Sequence, residues 1–362
     1  MRILYINPRF PELLLEVSKK RGVTCSIFNS PMKRWPQAPL ETMKTYFDIF
    51  RSLKKCNFHD WDIIHVQDRY NLLPFMVESK LLHRKLVYTC HEGLWLSNTN
   101  ILSVVRRSPT RSLEGLSMLI CDAIIALSRD LANRLSYLLP NIARKVYVIP
   151  NGVDASFFRP LTNPRIKSIR ENFGDPECLI LCVSRFGPEK GIDVLVRAIH
   201  KLVVDYHFQD IKCVMKLHGN SAYRDFIYNM INHLNLGNYI QIIEGFWSQA
   251  RLLSFYNMAD VFCLPSRYDA YPMTLLEAMA CGKPLVGPNY GGPRDIIRNG
   301  VNGYLFKVND YEDLAQVLAS LIRDKKKRIH MGQLSRRIAE RYFSWSLIAD
   351  KTLRVYEDLM QK

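Results

Sequence analysis

Short apolar segments alternate with helix-length amphipathic segments along the first half of this chain. The apolar segments are rich in β-branched and aromatic residues, as β-strands are. In chain order they are RILYIN, VTCSIF, DIIHVQ, KLVYTC, DAIIALS and KVYVIP. The segment ELLLEVSKKRG, which ends with a glycine, is typical of the helices that lie between such strands. The alternation predicts a parallel sheet that is covered by helices on both faces.

The same alternation repeats after NGVDASFFRPLTNPR, a stretch of Asn, Gly and Pro that predicts a domain boundary. The strand-like segments of the second half are CLILCVS, IKCVMKLHG, YIQIIEGF, DVFCLPS, KPLVGPN and GYLFKV, and its clearest helices are IDVLVRAIHKLV and YEDLAQVLASLIRD. A chain of 362 residues is also longer than one hydrophobic core usually supports. We therefore predict an α/β protein with two doubly wound, Rossmann-like domains, residues 1–155 and 156–344, that face each other across a cleft.

Composition narrows the class of protein further. A hydrophobic content of 48% with 23% charged residues is that of a globular chain. The nine cysteines include no C-x-x-C pair, which favours free thiols in a reducing compartment over a disulfide framework. The first residues, MRILYINP, form a strand-like segment without the pattern of a signal peptide, and no apolar run is long enough to span a membrane. These features predict a cytoplasmic protein.

Positive charge is concentrated in the first half of the chain. Residues 1–150 contain 22 Lys and Arg against 12 Asp and Glu, which leaves +10 of the total net charge of +16. This excess fits an anionic partner or an anionic membrane surface, and equally an ordinary solvated surface. Zinc-finger spacing and RNA-binding aromatic motifs are absent from the sequence, so we predict no nucleic-acid partner. The run DKKKR at 324–328 is interpreted as a solvated helix end.

Two cations follow the first strand of the second half, in CVSRFGPEKGIDVL. Arg185 and Lys190 are separated by a turn, and a helix begins directly after Gly191. Two cations in this arrangement can converge on one pyrophosphate, to which the helix adds backbone N–H donors. The alternative is a pair of unrelated surface charges.

Two carboxylates lie in the segment PSRYDAYPMTLLEAMACGKPLV. Asp269 is in a loop and Glu277 is about one turn into an apolar helix that we expect to start near Met273 or Thr274. A glutamate among Leu, Ala and Met needs a partner, either a protein cation or the hydroxyl groups of a ligand. Glu277 is suited to a ribose and Asp269 to sugar hydroxyls. The alternative is a helix-capping Asp269 and an internally paired Glu277.

Together these motifs resemble the C-terminal domain of the retaining GT-B glycosyltransferases of family 4. The resemblance covers residues 145–345 well and rests on the order of Arg185 and Lys190, DAYPMTLLEAMACGKP, GGPRD and NGVNG. It implies a nucleotide-diphosphate sugar as donor, no separate cofactor, no metal ion, and transfer with retention of anomeric configuration. A C-terminal helix, residues 345–362, is expected to cross back to the first domain.

The resemblance also assigns roles to residues. Arg185 and Lys190 would hold the diphosphate, Glu277 the ribose and Asp269 the donor sugar. The donor site would further be lined by Tyr271, Pro272, Met273 and Thr274. His91, at the end of KLVYTC, falls where many members of the family place a histidine beside the donor sugar, whereas His65 is expected to pack or to bond to backbone.

The sequence departs from the family pattern at two places. Asp269 stands where the family usually has the longer glutamate, and the first loop, INPRFPELL, has prolines in place of a Gly-Gly pair. The segment DWD at 60–62 has the form of a metal-binding pair, but it precedes a strand instead of following one. The acceptor is unknown and could be lipid-linked or anionic. A nucleotide-sugar epimerase and a non-catalytic protein that binds anions or membranes remain alternatives to a transferase.

Overall fold

The computed structural model describes residues 1–6, 10–20, 22–29, 60–91, 109–162, 164–219 and 222–361. Within these ranges the chain forms two compact units. The first contains residues 1–152 and 345–362, and the second contains residues 153–344. Some sequence features that bear on the predictions lie outside the described ranges: residues 7–9 of the first loop, the basic segments RSLKK at 51–55 and RR at 106–107, and the apolar residues Ile101 and Leu102.

A six-stranded parallel sheet forms the centre of the first unit. Its strands lie in the order β2-β1-β3-β4-β5-β6. They are β1 (Arg2–Ile6), β2 (Thr24–Phe28), β3 (Ile63–Val66), β4 (Lys85–Cys90), β5 (Ala123–Ala126) and β6 (Val146–Val148). β1, β3, β4 and β5 are almost entirely buried, as expected for a parallel sheet with helices on both faces. Each of the six segments that we predicted to be strands in this half contains one.

The described helices of the first unit connect these strands, and the last one returns from the end of the chain. They are α1 (Pro11–Ser18), α2 (Arg69–Leu81), α3 (Pro109–Ile120), α4 (Arg129–Leu138) and, at the C-terminus, α13 (Trp345–Met360). A 3-10 helix (Pro140–Lys145) precedes β6.

A buried hydrogen-bonded network joins α13 to the sheet of the first unit. The hydroxyl oxygen of Tyr356 lies 2.9 Å from that of Tyr5 and 2.5 Å from Nδ1 of His65. The other ring nitrogen of His65 is 2.7 Å from the Thr89 hydroxyl. His65 is therefore packed in the core, one of the two predicted alternatives, and side-chain hydroxyls instead of backbone satisfy its ring. Burial lowers the pKa of His65 to about 3, so the imidazole is neutral.

The second unit has its own six-stranded parallel sheet, ordered β12-β11-β10-β7-β8-β9. Its strands are β7 (Cys178–Val183), β8 (Ile211–Leu217), β9 (Ile240–Glu244), β10 (Val261–Cys263), β11 (Leu285–Pro288) and β12 (Gly303–Phe306). Numbered within the unit, this order is 3-2-1-4-5-6, the doubly wound order of dinucleotide-binding folds. The two strands that meet at its switch point are β7 and β10, which pair through Leu181 and Phe262.

Helices cover both faces of this second sheet. They are α5 (Pro164–Glu171), α6 (Ile192–Val204), α7 (Ala222–His233), α8 (Gln249–Met258), α9 (Met273–Ala280), α10 (Gly292–Ile296), α11 (Tyr311–Arg323) and α12 (Lys325–Tyr342). The apolar faces of α6 and α11 pack together on one side, where Ile199 and Leu318 belong to the same buried cluster.

The run DKKKR lies at a helix end, as predicted, and Asp324, Lys325 and Lys326 are exposed. Asp324 caps the N-terminus of α12, where its carboxylate accepts from the Lys327 backbone N–H at 2.8 Å. The Arg328 side chain is buried and donates to the carbonyl oxygens of Leu321 and Ile322, at 2.7 and 2.6 Å. Only Arg328 departs from the prediction, because it satisfies the last carbonyls of α11, which lack partners within their own helix.

The cysteines of the described ranges are all free, and all but Cys25 are buried. No helix in the described part of the chain is long and apolar enough to cross a membrane.

Candidate functional site

The candidate residues of the second unit come together at the switch point of its sheet. Lys190 follows β7, and Asp269 follows the adjacent strand β10. The carboxyl ends of these strands lie at the same edge, and their following loops diverge there. Ligands of open α/β sheets bind at such a point.

Lys190 and Asp269 form an ion pair across the switch point. Nζ of Lys190 donates to Oδ2 of Asp269 at 2.7 Å, and only 17% and 16% of the two side chains are exposed. In the sequence analysis they were assigned to different parts of a ligand, whereas in the structure each is the partner of the other. Asp269 does not cap α9, since the N-cap position is held by Pro272.

Glycine allows the two loops to approach this closely. Gly191 has a φ of +60°, and a Cβ atom there would lie 2.2 Å from the carbonyl oxygen of Pro265. A Cβ at Gly292, at the start of α10, would lie 2.4 Å from the carbonyl oxygen of Ala270. The Gly292 N–H also donates to the Asp269 carbonyl at 2.9 Å. Only a residue without a side chain fits at either position without displacing backbone.

Arg185 lies at the exposed edge of the same loop. Its Nη2 is 2.8 Å from Oε1 of Glu189, and 58% of its side chain is exposed. The structure therefore places the two predicted cations differently: Lys190 is half-buried at the switch point, whereas Arg185 is held at the surface by a neighbouring carboxylate.

Glu277 has a tyrosine as its partner. The hydroxyl of the buried Tyr256, at the end of α8, donates to Oε2 of Glu277 at 2.6 Å. Among the described residues, this is the only side-chain hydrogen bond to the Glu277 carboxylate, so Oε1 retains its capacity as an acceptor. Burial raises the pKa of Glu277, and the bond from Tyr256 offsets part of this rise. Within the described ranges no cation pairs with this carboxylate, which leaves ligand hydroxyls as suitable additional partners.

The N-terminus of α9 contributes backbone donors next to these side chains. The helix begins at Met273, as predicted, and its first N–H groups, including those of Met273 and Thr274, have no acceptor within the helix. Tyr271 and Pro272 are buried beneath this turn, and the Tyr271 ring lies 6.5 Å from that of Phe343. The arrangement offers partial positive charge to an anion.

Two groups of residues at this edge were missed by the sequence analysis. Arg267 pairs with Asp193 on α6, through two hydrogen bonds of 3.0 and 2.7 Å. Phe246 follows β9 and is 89% exposed, with its ring 5.1 Å from that of His218, which follows β8. The signal for both was their position directly after a strand, at the edge where Lys190 and Asp269 also lie.

His91 belongs to the first unit, where it follows β4 directly. Its ring lies 5.9 Å from the ring of Phe10, at the start of α1. The DWD segment lies at the opposite, amino end of β3, as its sequence position suggested. There Oδ2 of Asp62 accepts from the Arg2 backbone N–H at 2.7 Å, and exposed Asp60 lies 3.7 Å from the Arg2 guanidinium.

Two family models match this chain, one in each half. The model described as Glycosyltransferase Family 4 matches residues 8–157, and the model described as Glycosyl transferases group 1 matches residues 165–338. With the fold and the switch-point site described above, these matches decide the family. The chain belongs to the glycosyltransferases of the GT-B fold. The second of the two models spans all of the site residues from Arg185 to Gly292 in this glycosyltransferase.

Sequence relatives of this GT-B glycosyltransferase include proteins of archaea and bacteria. An uncharacterized glycosyltransferase of Methanocaldococcus jannaschii is 30% identical over 66% of this chain and 60% of that protein. The D-inositol 3-phosphate glycosyltransferase of Thermobifida fusca is 29% identical over 76% of this chain and 65% of its own length. Spore coat protein SA of Bacillus subtilis is 27% identical over 88% and 92%. The matches to the first two thus span less than two thirds of those proteins.

Solved structures share the fold over nearly the whole chain. HepE of Anabaena, in complex with UDP and glucose, has a TM-score of 0.78 and 20% identity, and the match covers 99% of this chain and 100% of HepE. Sucrose-phosphate synthase of Thermosynechococcus elongatus has a TM-score of 0.78 and 19% identity, with coverage of 100% and 99%. At this identity the similarity establishes the GT-B fold alone.

Proposed function

We propose that this GT-B glycosyltransferase moves a sugar from a nucleotide-diphosphate sugar to an acceptor with retention of configuration and without a metal ion. The observation that carries the proposal is the Lys190–Asp269 pair, 2.7 Å apart at the switch point of the second sheet. In this proposal the Lys190 ammonium would bind the diphosphate and the adjacent Asp269 carboxylate the sugar, close to the N-terminus of α9.

Lys190 would exchange its partner when the donor binds. Without donor, Asp269 neutralises the ammonium group; with donor, a phosphate oxygen takes its place. As the bond between sugar and phosphate breaks, negative charge grows on the leaving diphosphate. Lys190, the first N–H groups of α9 and the more exposed Arg185 would stabilise that charge. This set of donors would supply the positive charge that a metal ion could otherwise provide.

The nucleoside would lie along the carboxyl edge of the sheet towards β9. Glu277 keeps one carboxylate oxygen for ribose hydroxyls, with the other bonded to Tyr256. The exposed ring of Phe246 provides a surface on which a base can stack. Three strand spacings separate β10 from β9, roughly 14 Å, so a ligand that contacts both must be extended.

The sugar would be held by Asp269 and oriented by His91. Once Lys190 binds phosphate, the Asp269 carboxylate can accept hydrogen bonds from sugar hydroxyls. Retention would follow from attack by the acceptor on the same face from which the diphosphate leaves. The acceptor hydroxyl oxygen bonds to the anomeric carbon, the bond from that carbon to phosphate breaks, and a phosphate oxygen takes the hydroxyl proton. His91 would orient the sugar without taking a proton, and the residues of this chain would supply no covalent intermediate.

For the acceptor we propose an anionic molecule. The basic excess of residues 1–150 supports this choice, because the first domain of the fold is expected to bind the acceptor. Relatives at about 29% identity are named for D-inositol 3-phosphate, which is an anionic polyol. Phosphorylated polyols and lipid-linked anionic glycans are therefore the acceptors to test first.

The proposal is tested by incubation with UDP-, GDP-, ADP- and CDP-sugars, with candidate acceptors and with EDTA in excess. Release of nucleoside diphosphate that depends on acceptor, and that persists in EDTA, is the expected result. Release without acceptor, together with an altered sugar, would instead identify an epimerase. Binding of nucleotide sugars without any turnover would identify a non-catalytic protein. Loss of release in EDTA that magnesium restores would overturn metal independence alone.

A further inference from the structure

A half-buried ion pair connects the two loops that carry Lys190 and Asp269. Arg267 lies two residues before Asp269, and Asp193 lies three residues after Lys190, in the first turn of α6. The guanidinium of Arg267 donates to both carboxylate oxygens of Asp193, Nη1 to Oδ1 at 3.0 Å and Nη2 to Oδ2 at 2.7 Å. Such a planar, two-bond contact fixes orientation as well as distance.

Arg267 also contacts the backbone on the other side of Lys190. Its Nη1 donates to the carbonyl oxygen of Pro188. Its backbone N–H donates to the carbonyl oxygen of Glu189 at 2.8 Å. Arg267 thus bonds to residues before and after Lys190. The position of the Lys190 backbone relative to the Asp269 loop is set by these contacts.

A tyrosine of a third element completes the network. The Tyr223 hydroxyl, in the first turn of α7, donates to Oδ1 of Asp193. Although burial pushes the pKa of Asp193 upward, the hydrogen bonds from Arg267 and Tyr223 hold it below its ordinary value. Asp193 is therefore ionised at neutral pH.

An ionised carboxylate at this place needs to be neutralised for the proposed donor to bind. Asp193 is in the first turn of α6, close in sequence to Lys190, where we place the diphosphate. A free negative charge there would repel phosphate and reduce the attraction from Lys190 and the helix N-terminus. The bidentate contact with Arg267 both cancels this charge and holds the loop.

We propose that Arg267 and Asp193 are positioning residues of the donor site, which lock the Lys190 loop to the Asp269 loop and keep the Asp193 charge away from the donor diphosphate. This inference rests on the proposed function and assigns to that site two residues that do not themselves contact the donor.

Calorimetry with UDP, GDP and ADP tests the electrostatic part of the proposal. For whichever of the three binds most tightly, we expect Arg267→Ala to weaken binding by about tenfold or more, because it leaves Asp193 charged and unpaired. Asp193→Asn should weaken it less. The double variant Arg267→Ala/Asp193→Asn should bind more tightly than Arg267→Ala alone, since the repelling charge is then absent. A purely structural role predicts the opposite order, with the double variant the weakest.

Arg170 provides a matched control in the same unit. It forms a comparable, half-buried network with Asp175 and Asp260, with distances of 2.6 and 2.8 Å, at the amino edge of the sheet. Arg170→Ala should lower the melting temperature as Arg267→Ala does, but leave affinity for the nucleoside diphosphate unchanged. Arg267→Lys should restore part of the affinity, because it keeps the charge and loses the planar contact.

Hydrogen exchange tests, without any ligand, whether Arg267 holds the Lys190 loop to the Asp269 loop. The backbone amides of Glu189, Lys190 and Gly191 should exchange faster in Arg267→Ala than in wild type, and at the wild-type rate in Arg170→Ala. Unchanged exchange, or wild-type affinity in a folded Arg267→Ala variant, would overturn the inference. If the wild-type protein binds neither these three nucleotides nor CDP, the proposed function falls, whereas the exchange rates still decide whether Arg267 holds the two loops together.

Discussion

At the scale of single residues, the charged side chains of the site differ in the partners that they have within the protein. Lys190 and Asp269 neutralise each other, with most of both side chains shielded from water. In the described part of the chain, Glu277 has only the neutral Tyr256 hydroxyl as a side-chain partner, and its pKa is raised by burial. The two carboxylates should therefore respond differently to a ligand. Asp269 must exchange the Lys190 ammonium group for ligand hydroxyls, whereas Glu277 can accept from hydroxyls without losing an ion pair.

If Lys190 exchanges Asp269 for a phosphate oxygen when the donor binds, substitutions of these two residues should affect ligand binding and turnover differently. Lys190→Ala should reduce turnover of the donor by about 2–4 kcal/mol of transition-state stabilisation, since a preorganised cation is lost. Asp269→Ala should spare or tighten binding of the bare nucleoside diphosphate, because Lys190 is then free, and weaken binding of the sugar-bearing donor. Calorimetry with both ligands and steady-state kinetics measure this. Equal losses of affinity for both ligands in Asp269→Ala would contradict the division of roles.

The raised pKa of Glu277 predicts a dependence of nucleotide binding on pH. The ionised carboxylate accepts from ribose hydroxyls, so ligand binding favours the deprotonated form. Affinity should be highest above the raised pKa and should fall as the pH drops through it, while the protein remains folded. Glu277→Gln should bind more weakly at neutral pH and show no such change. A wild-type pH profile that matches that of Glu277→Gln would rule out this role.

At the scale of elements, the return of α13 to the first unit depends on a small polar network. Tyr356 bonds to both Tyr5 and His65, and Thr89 occupies the other nitrogen of the histidine. Lys20 and Asp350 add an exposed ion pair of 2.6 Å between the end of α1 and α13. Because Tyr5, His65 and Tyr356 are fully buried, every missing partner leaves a polar group without water.

Tyr356→Phe should therefore destabilise the protein. It leaves Nδ1 of His65 and the Tyr5 hydroxyl without their buried partner, which should lower the free energy of unfolding by about 1–3 kcal/mol. Urea unfolding followed by circular dichroism measures the change. Tyr137→Phe is the control, because Tyr137 is largely exposed and its hydroxyl can bond to water. If both variants unfold at the same urea concentration, the network does not contribute to stability.

At the scale of the whole molecule, exposed apolar side chains accompany the positive charge of the first unit. Val77 and Leu81 on α2, and Leu116 and Ile120 on the adjacent α3, are exposed, Leu81 by 70%. Lys80 lies among them, partly neutralised by Asp122 at 3.3 Å. Apolar and basic side chains on one surface are the combination that peripheral proteins use at anionic membranes.

We accordingly predict salt-sensitive binding to anionic membranes. The protein should sediment with phosphatidylglycerol vesicles at low salt and less so at about 0.5 M salt, as screening removes the contribution of each basic side chain. The variant Leu81→Ser/Leu116→Ser should bind more weakly, whereas Val204→Ser, an exposed apolar residue of the second unit, should not change binding. Absence of binding to these vesicles at every salt concentration would favour a soluble acceptor.

By itself, the sequence determined the twelve strands and the places where the candidate residues follow them. Alternation of apolar and amphipathic segments is a local property, and residues directly after parallel strands must lie at one edge of the sheet. Glu277 and the start of α9 were recognisable for the same reason, since a carboxylate in an apolar helix stands out.

Only the tertiary structure decided which of these side chains pair. The Lys190–Asp269 and Arg267–Asp193 contacts join residues 79 and 74 positions apart, and Tyr356 reaches His65 across 291. Such contacts depend on the strand order that brings β7 beside β10 and on glycines that let two loops meet, neither of which has a local signature. From the sequence, Arg328 was likewise interpreted as a surface charge. In the structure it is buried between α11 and α12, where it donates to the Leu321 carbonyl. Which charged side chains pair depends on their neighbours in three dimensions, so periodicity and spacing along the chain could not predict these pairs.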